Sequence, residues 1–472
     1  MGELHIYKHE FLTILLFSKH QQYRGRGVMN WFARISDVGI GLVLPVFILF
    51  CGCYFMKLLG CFFLVHPMGT LRLAFSREGR GGVSPLRALS VSLAGTLGVG
   101  NIVGVAVALT VGGAGAIFWM WVSAFLSMIL KYAEIVLAMK YRIYENGKKY
   151  GGPMYYMKKG LGGTFGKVLS YIFATLGVIS AFSMGSLVQM KAAADALSET
   201  FSFPAFLFGI ISAFLCAFLL FGGYDKISRV TAIAIPLLSA VYTVMAVQIL
   251  WTHADGIYPL CRLIFTRAFT PSAASGGILG FLCSSALRQG IAKGSFSHEA
   301  GCGTAPLAHA GADTKIPAKQ GILGIFEVFF DTIVLCTLTG FVILLTQGEN
   351  FTQTNGMQLV LDSFASQYGP LARYIITLSV LFFALATVIC WGYYGKEMLS
   401  YLTKTPAVLT AYTLLFCGFA AAGTMMKETT VWQISDITVA LMTALNLSAV
   451  FMLRKEVLRE TEAAGLCPPK RH

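Results

Sequence analysis

The sequence is short of charge: Asp, Glu, Lys and Arg make up only 12% of its 472 residues. Soluble chains carry about 25%, so an ordinary water-surrounded domain is excluded. No GxxxxGK[ST] loop is present, which argues against ATP as a driving force. No two of the eleven cysteines form a CxxC pair, and their number is odd. A disulfide framework or zinc site is therefore not expected, and the cysteines read as small apolar fillers. His298-Glu299 begins a zinc-protease HExxH, but Cys302 stands where the second histidine is required;. The net charge of +14 does not point to nucleic acid, because the basic residues sit in short loops beside apolar runs.

Those runs are what the chain has in abundance. Hydrophobic residues reach 56%, and stretches of about 20 residues, enough to cross about 30 Å of hydrocarbon, recur throughout. The expected fold class is an all-α polytopic membrane protein of about eleven spans, with the lipid bilayer as its surroundings. The spans are placed at 37–58, 87–110, 114–139, 166–197, 203–221, 229–251, 276–311, 320–346, 371–393, 406–425 and 432–453. The stretch 276–311 is too long for one straight helix and must be interrupted.

Loop charge sets the orientation. Alternate loops carry Arg72, Arg77, Arg80 and Arg87, then Lys140, Arg142, Lys148 and Lys149, and later Lys226, Arg229, Lys315, Lys319, Lys396 and Lys404. The opposite loops hold only Arg262, Arg267, Arg373 and Lys427. A cytoplasmic C-terminal tail in a cell membrane, the inner membrane of a bacterium, is the expectation. Residues 1–28 dissent, with Lys8, Lys19, Arg24 and Arg26 on the wrong side. They read as an amphipathic extension, as a signal-like segment too short to span, or as a miscalled start ahead of Met29.

Two apolar stretches are broken by glycine. The first is Ser92–Asn101, with Gly95, Gly98 and Gly100; the second runs from Gly290 to Gly303. Glycine costs a helix roughly 1 kcal/mol relative to alanine, and unwound backbone in a membrane persists only where protein or a watery cavity satisfies it. Interrupted helices, one in each half of the chain, mark a carrier's binding site. At the first break the freed N–H groups of Gly98, Val99, Gly100 and Asn101 suit a carboxylate. Carbonyls of Ala94, Gly95 and Leu97, with the Thr96 hydroxyl and Asn101 amide oxygen, suit a sodium ion. A glycine close-packing face is the alternative, although Gly95, Gly98 and Gly100 do not keep i,i+4 spacing. At the second break Gly294, Ser295, Ser297, His298 and Glu299 either cap half-helices or meet the substrate.

Other polar groups lie inside spans. Lys131 with Glu134 and Lys191 with Asp195 have spacings that allow helical ion pairs. Gln189 can reach a zwitterion. Asp331 has no local partner and is a functional candidate by position. Thr387 and Trp391 read as a cation ligand and a pocket wall, or as structural residues.

Several motifs together resemble a known family: Ser92–Gly104, Gly112–Trp121 followed by Lys131-Tyr132-Ala133-Glu134, Gly151–Tyr156, Phe296–Pro306 with Ala308-His309-Ala310, and Trp391–Gly395. In order and spacing they look like the alanine/glycine:cation symporters, over about residues 30 to 455. The resemblance implies sodium-coupled, in some members proton-coupled, import of alanine, glycine and similar small amino acids. It also implies a leucine-transporter-like fold of two inverted five-helix repeats with one extra N-terminal helix. The divisions would be 1–28 extension, 29–86 extra helix and basic connection, 87–251 first repeat, 252–275 external connection, 276–453 second repeat, and 454–472 tail. By the resemblance Thr96, Gly98, Val99, Gly100, Asn101, Gln189 and Trp391 border the substrate, and Ala94, Leu97 and Thr387 the co-transported sodium. Four residues depart from the family pattern. Ala386 occupies a position where a hydroxyl is expected beside Thr387, His298 replaces an asparagine, and Cys302 and Cys390 replace other residues. The rival readings are a proton-coupled carrier using His298, Glu299 or Asp331, an intramembrane enzyme using His298 and Glu299, and a passive channel.

Overall fold

The computed structural model describes residues 44–75, 84–145, 147–221, 224–269, 284–349 and 355–467. The expected extension 1–28 lies outside them. Apart from one short antiparallel hairpin, Ile143–Glu145 with Lys148–Tyr150, the regular structure is helical. Besides short helical turns at Phe62–Val65, Pro67–Ala74, Pro153–Tyr156 and Met157–Leu161, the helices are α1 (Leu44–Leu59), α2 (Pro85–Thr96), α3 (Val103–Gly112), α4 (Gly115–Tyr141), α5 (Gly163–Phe201), α6 (Ala205–Phe221), α7 (Tyr224–Thr252) and α8 (Ala254–Ala268). There follow α9 (Ser285–His298), α10 (Ala305–His309), α11 (Pro317–Gln347), α12 (Gly356–Tyr368), α13 (Pro370–Leu402), α14 (Pro406–Gly423), α15 (Glu428–Met452) and α16 (Arg454–Ala463).

Helix lies at every expected span where residues are described. Among the described residues, six helices (α4, α5, α11, α13, α14 and α15) are long and apolar enough to cross a membrane. The pair α2 and α3, bent by 59° at its break, makes a seventh. Helices α8 and α12 fall within stretches expected to be connections, because their polar residues dilute the apolar signal. Helix α4 is apolar nearly all round and buried nearly all round, as such a helix must be;. It packs against α1, α8, α9 and α11 and forms the centre of the bundle. At the outside, Phe206, Phe214 and Phe218 of α6 are exposed, the face lipid would cover;.

The two ends of α4 separate two sets of connections by about 40 Å, at 1.5 Å per residue. At its C-terminal end Arg142 donates to the carbonyls of Ala312 and Thr314, both at 2.8 Å, and Lys149 pairs with Asp313 at 2.8 Å. Lys140 pairs with Glu456 and Glu460 of α16 there, and Lys404 with Glu145. The basic connections and the tail therefore share one face. At the other end Trp119 donates to the Ala268 carbonyl, and Arg267 pairs with Glu349 at 2.9 Å.

The Lys140 hydrogen bond holds the Glu456 carboxyl below its usual range. A carboxyl lowered in this way stabilises docking above its unfolded pKa, and the contribution is lost as pH falls through the folded value. The tail helix should thus stay docked at neutral pH and loosen below the ordinary carboxylate range. Hydrogen exchange of 454–463 across that range measures it; protection independent of pH would contradict it.

Candidate functional site

Helix α2 ends because its last residues offer little to a helix and the chain beyond finds side-chain partners instead. The Leu97 N–H still reaches the Leu93 carbonyl at 2.7 Å, but Gly98 is extended, and Val99–Asn101 form one 3-10 turn before α3 begins. Gly98 is required for close approach. A Cβ there would stand 2.7 Å from the Thr387 hydroxyl and 2.8 Å from Gln189 Oε1. Gly100 is similarly pressed on Phe296.

Neighbouring helices complete the first break. Gln189 Oε1 accepts from the Val99 N–H at 3.1 Å. Thr387 donates to the Ala94 carbonyl at 3.1 Å, and Cys390 Sγ lies 3.6 Å from the Val91 carbonyl, so α13 runs along the carbonyl edge of α2. The Asn101 amide nitrogen donates to Ser297 Oγ (2.9 Å) and to Asp331 Oδ1 (2.6 Å) and its carbonyl (3.0 Å). Asn101 Oδ1 is buried with no partner among the described residues. Wide π-turns at Ser183–Leu187 of α5 and Phe329–Cys336 of α11 lie just before Gln189 and around Asp331. Such turns recur at functional sites.

The second break lies further along the chain than the glycines suggest. Gly294, Ser295, Ser297 and His298 belong to one continuous helix, α9, and the backbone turns only at Glu299. Gly290 is a packing glycine instead: a Cβ there would meet the Ala116 carbonyl oxygen at 2.4 Å. With Gly294 it keeps the i,i+4 spacing of a close helix contact. Glu299 adopts a left-handed conformation, φ 52°, as do Gly301 at 86° and Gly303 at 83°. A non-glycine residue at positive φ is strained and needs support.

That support comes from α4. Lys131 and Glu134 are not partners of each other, as their spacing suggested. The Lys131 ammonium donates to the His298 carbonyl at 2.8 Å, where the α9 half-helix leaves its negative end;. The Glu134 carboxylate accepts from the N–H groups of Gly301 (3.3 Å) and Gly303 (3.1 Å) and from Asn446 (2.9 Å). One turn of α4 thereby satisfies both poles of the break. His298 Nδ1 accepts from the Ala300 N–H at 3.0 Å, a capping role. Glu299 accepts from Trp391 Nε1 (2.8 Å) and Thr304 (2.6 Å). Ser295 Oγ is buried without a partner among the described residues.

The first break meets the last turn of α9 and the wide turn of α11 through Asn101, Ser297 and Asp331, and comparison with known proteins gives this geometry a context. The model of the sodium:alanine symporter family matches residues 26–463. The chain belongs to that family. It is 37% identical over 433 residues to the sodium/alanine symporter AgcS of Methanococcus maripaludis, covering 90% of this chain and 94% of that one. To the probable sodium/glutamine symporter GlnT of Bacillus subtilis it is 32% identical, covering 89% and 87%. Among solved structures, MhsT in complex with L-phenylalanine matches with a TM-score of 0.56 at 13% identity, covering 82% of this chain and all of that one. That likeness shows the fold, the leucine-transporter-like one. As a member of the sodium:alanine symporter family, the protein is a multi-pass, cation-coupled amino acid transporter and not an enzyme.

Within this family member the expected site residues cluster in part. Gly98, Val99, Gln189 and Thr387 converge, with Ala94 beside Thr387. Trp391 is reached through Glu299 and packs against Gly185, where a Cβ would lie 2.3 Å from the tryptophan Cβ. Thr96 turns away: its hydroxyl donates to Glu327 at 3.2 Å. Asp331 finds partners on distant helices. Lys191 and Asp195 do pair, at 2.6 Å. Glu327 itself went unnoticed in the sequence, although a carboxylate inside an apolar span is as notable there as Asp331 four residues later. The pair of Lys293 with Asp436 at 2.9 Å, with the ammonium 4.1 Å above the Trp432 ring, was also missed.

Proposed function

We propose that this transporter imports small neutral amino acids, alanine and glycine first, with sodium as the coupling ion. The observation that carries the reading is the buried, unpartnered Asn101 Oδ1 at a helix break, flanked by Gly98, Gly100 and the Asp331 carboxylate. Gly98, Val99, Gly100, Asn101 and Gln189 receive the zwitterion and Trp391 limits its side chain. The carbonyls of Ala94 and Leu97 and the Thr387 hydroxyl hold the ion. Thr96 borders the site through its backbone, since its hydroxyl is engaged elsewhere.

In this mechanism the substrate amine or the ion supplies the positive partner that Asn101 Oδ1 lacks. Sodium binding orders the broken helix, so the amino acid binds more tightly in its presence, and the effect is reciprocal. The repeats 87–251 and 276–453 then rock around the site, with the tail on the cytoplasmic side. A potential of about 100 mV adds roughly 2.3 kcal/mol per ion, or about fifty-fold accumulation. The likeness to a glutamine symporter makes substrate size worth measuring.

The test is uptake of labelled alanine into proteoliposomes driven by a sodium gradient at fixed pH, with glycine and glutamine as competitors. Sodium should stimulate accumulation above equilibrium, with glycine competing better than glutamine. Uptake driven by a proton gradient and indifferent to sodium would transfer the coupling role to a proton, for which Asp331 is the placed carboxylate.

A further inference from the structure

Four carboxylates, Glu134, Glu299, Glu327 and Asp331, are buried around the two breaks, and each is at most 2% exposed. One ammonium, Lys131, is buried among them. It lies 2.6 Å from Glu327 Oε1 and 2.8 Å from the His298 carbonyl oxygen. The same Glu327 carboxylate accepts from Ser92 (2.8 Å) and Thr96 (3.2 Å) of α2, and from His309 Nε2 at 3.2 Å. Gln320 Nε2 approaches the other ring nitrogen of His309 at 2.6 Å. The ammonium facing Glu327 is that of Lys131.

Without the ammonium, Glu327 Oε1 and the His298 carbonyl oxygen would face the vacated position, with the Ser92 and Thr96 hydroxyls bonded to that carboxylate from the side of α2. That is an all-oxygen set with one negative charge, the kind of surroundings a small hard cation takes.

We propose that Lys131 is a resident cation: its tethered ammonium occupies an oxygen-lined position between the two broken helices that a sodium ion would otherwise fill. It fixes how many mobile ions the protein binds, and it joins the end of α2 to the end of α9 without consuming an ion in each cycle. The proposal rests on the sodium-coupled reading, but the two can fail separately. Lys131 is a positioning residue here, because it touches neither substrate nor mobile ion.

The test counts sodium ions bound by purified protein, using radiolabelled sodium, alongside the sodium dependence of thermal unfolding. Lys131→Met should bind one more sodium ion than wild type, and its unfolding midpoint should rise more steeply with sodium. Adding Glu327→Gln removes the charge that attracts the extra ion, and the count should return to that of wild type. A folded Lys131→Met with an unchanged count overturns the proposal. So does a folded double variant that binds one ion fewer than wild type, which would make Glu327 a ligand of the co-transported ion. If Lys131→Met does not survive purification at low sodium, high sodium decides: folded protein recovered with sodium but not with potassium supports the proposal, and no recovery at any sodium concentration overturns it. A wild type that binds no sodium would defeat the sodium reading, while a gain in Lys131→Met would still support the resident cation.

Discussion

Asn101→Ala should reduce amino acid accumulation to the level of protein-free liposomes while the protein still inserts and remains monodisperse in detergent. Asn101 bridges the first break to Asp331 and Ser297, and its Oδ1 is a buried acceptor without a partner among the described residues. Alanine removes both functions. The structural loss is limited, because Ser297 keeps its 2.8 Å bond to Asp331, and Asp331 also keeps Thr332 at 2.7 Å. Losing the bond to the Asp331 carboxylate costs roughly 1.5–3 kcal/mol and losing that to Ser297 about 0.5–1.5 kcal/mol, which a well-packed bundle can absorb. The transport loss should far exceed the stability loss. Uptake at the wild-type rate in Asn101→Ala, by vesicle assay, would remove the site from the first break.

Glu134→Ala is expected to have the largest effect on stability. It leaves the N–H groups of Gly301 and Gly303 without their acceptor at a depth where no water replaces it;. Unsatisfied buried donors cost about 1–3 kcal/mol each, so a loss of several kcal/mol and a clearly lower unfolding midpoint in detergent follow. Asn446 is partly spared because it also donates to the Gly301 carbonyl at 2.9 Å. Glu134→Gln, whose amide oxygen can still accept, should fall between the two. Equal midpoints for wild type and alanine variant, by thermal unfolding, would show that the second break needs no support from α4.

The first break was legible in the sequence because its glycines interrupt an apolar run without a regular spacing, and Asn101 adds a polar group at depth. The second was bracketed by Gly290 and Gly303, but only its last residues, from Glu299, leave the helix. Gly290 and Gly294 look like helix breakers in composition, but they serve a close contact between α9 and α4. The true turn is marked by Glu299, Gly301 and Gly303. Periodicity could not distinguish these uses, since both require a missing side chain. The Lys131–Glu134 spacing also misled, because i,i+3 proximity permits a pair that longer-range partners outcompete. Glu327, the true partner of Lys131, lies 196 residues away. Such partners become visible only when the helices are assembled. The apolar spans, by contrast, are a local property of length and composition, and helix lies at each of them where residues are described.

The two interruptions are built from materials of different stiffness. The one at Glu299 is gripped at both poles by charged groups from a single long buried helix. At Gly98 the hold is lighter: one amide of α5 and two neutral side chains of α13 reach the backbone there, and only at Asn101, beyond it, is the chain tied to a carboxylate. The protein thus contains one clamped joint and one that can flex. Bending during a transport cycle should concentrate at Gly98, leaving the clamped joint as the fixed pivot.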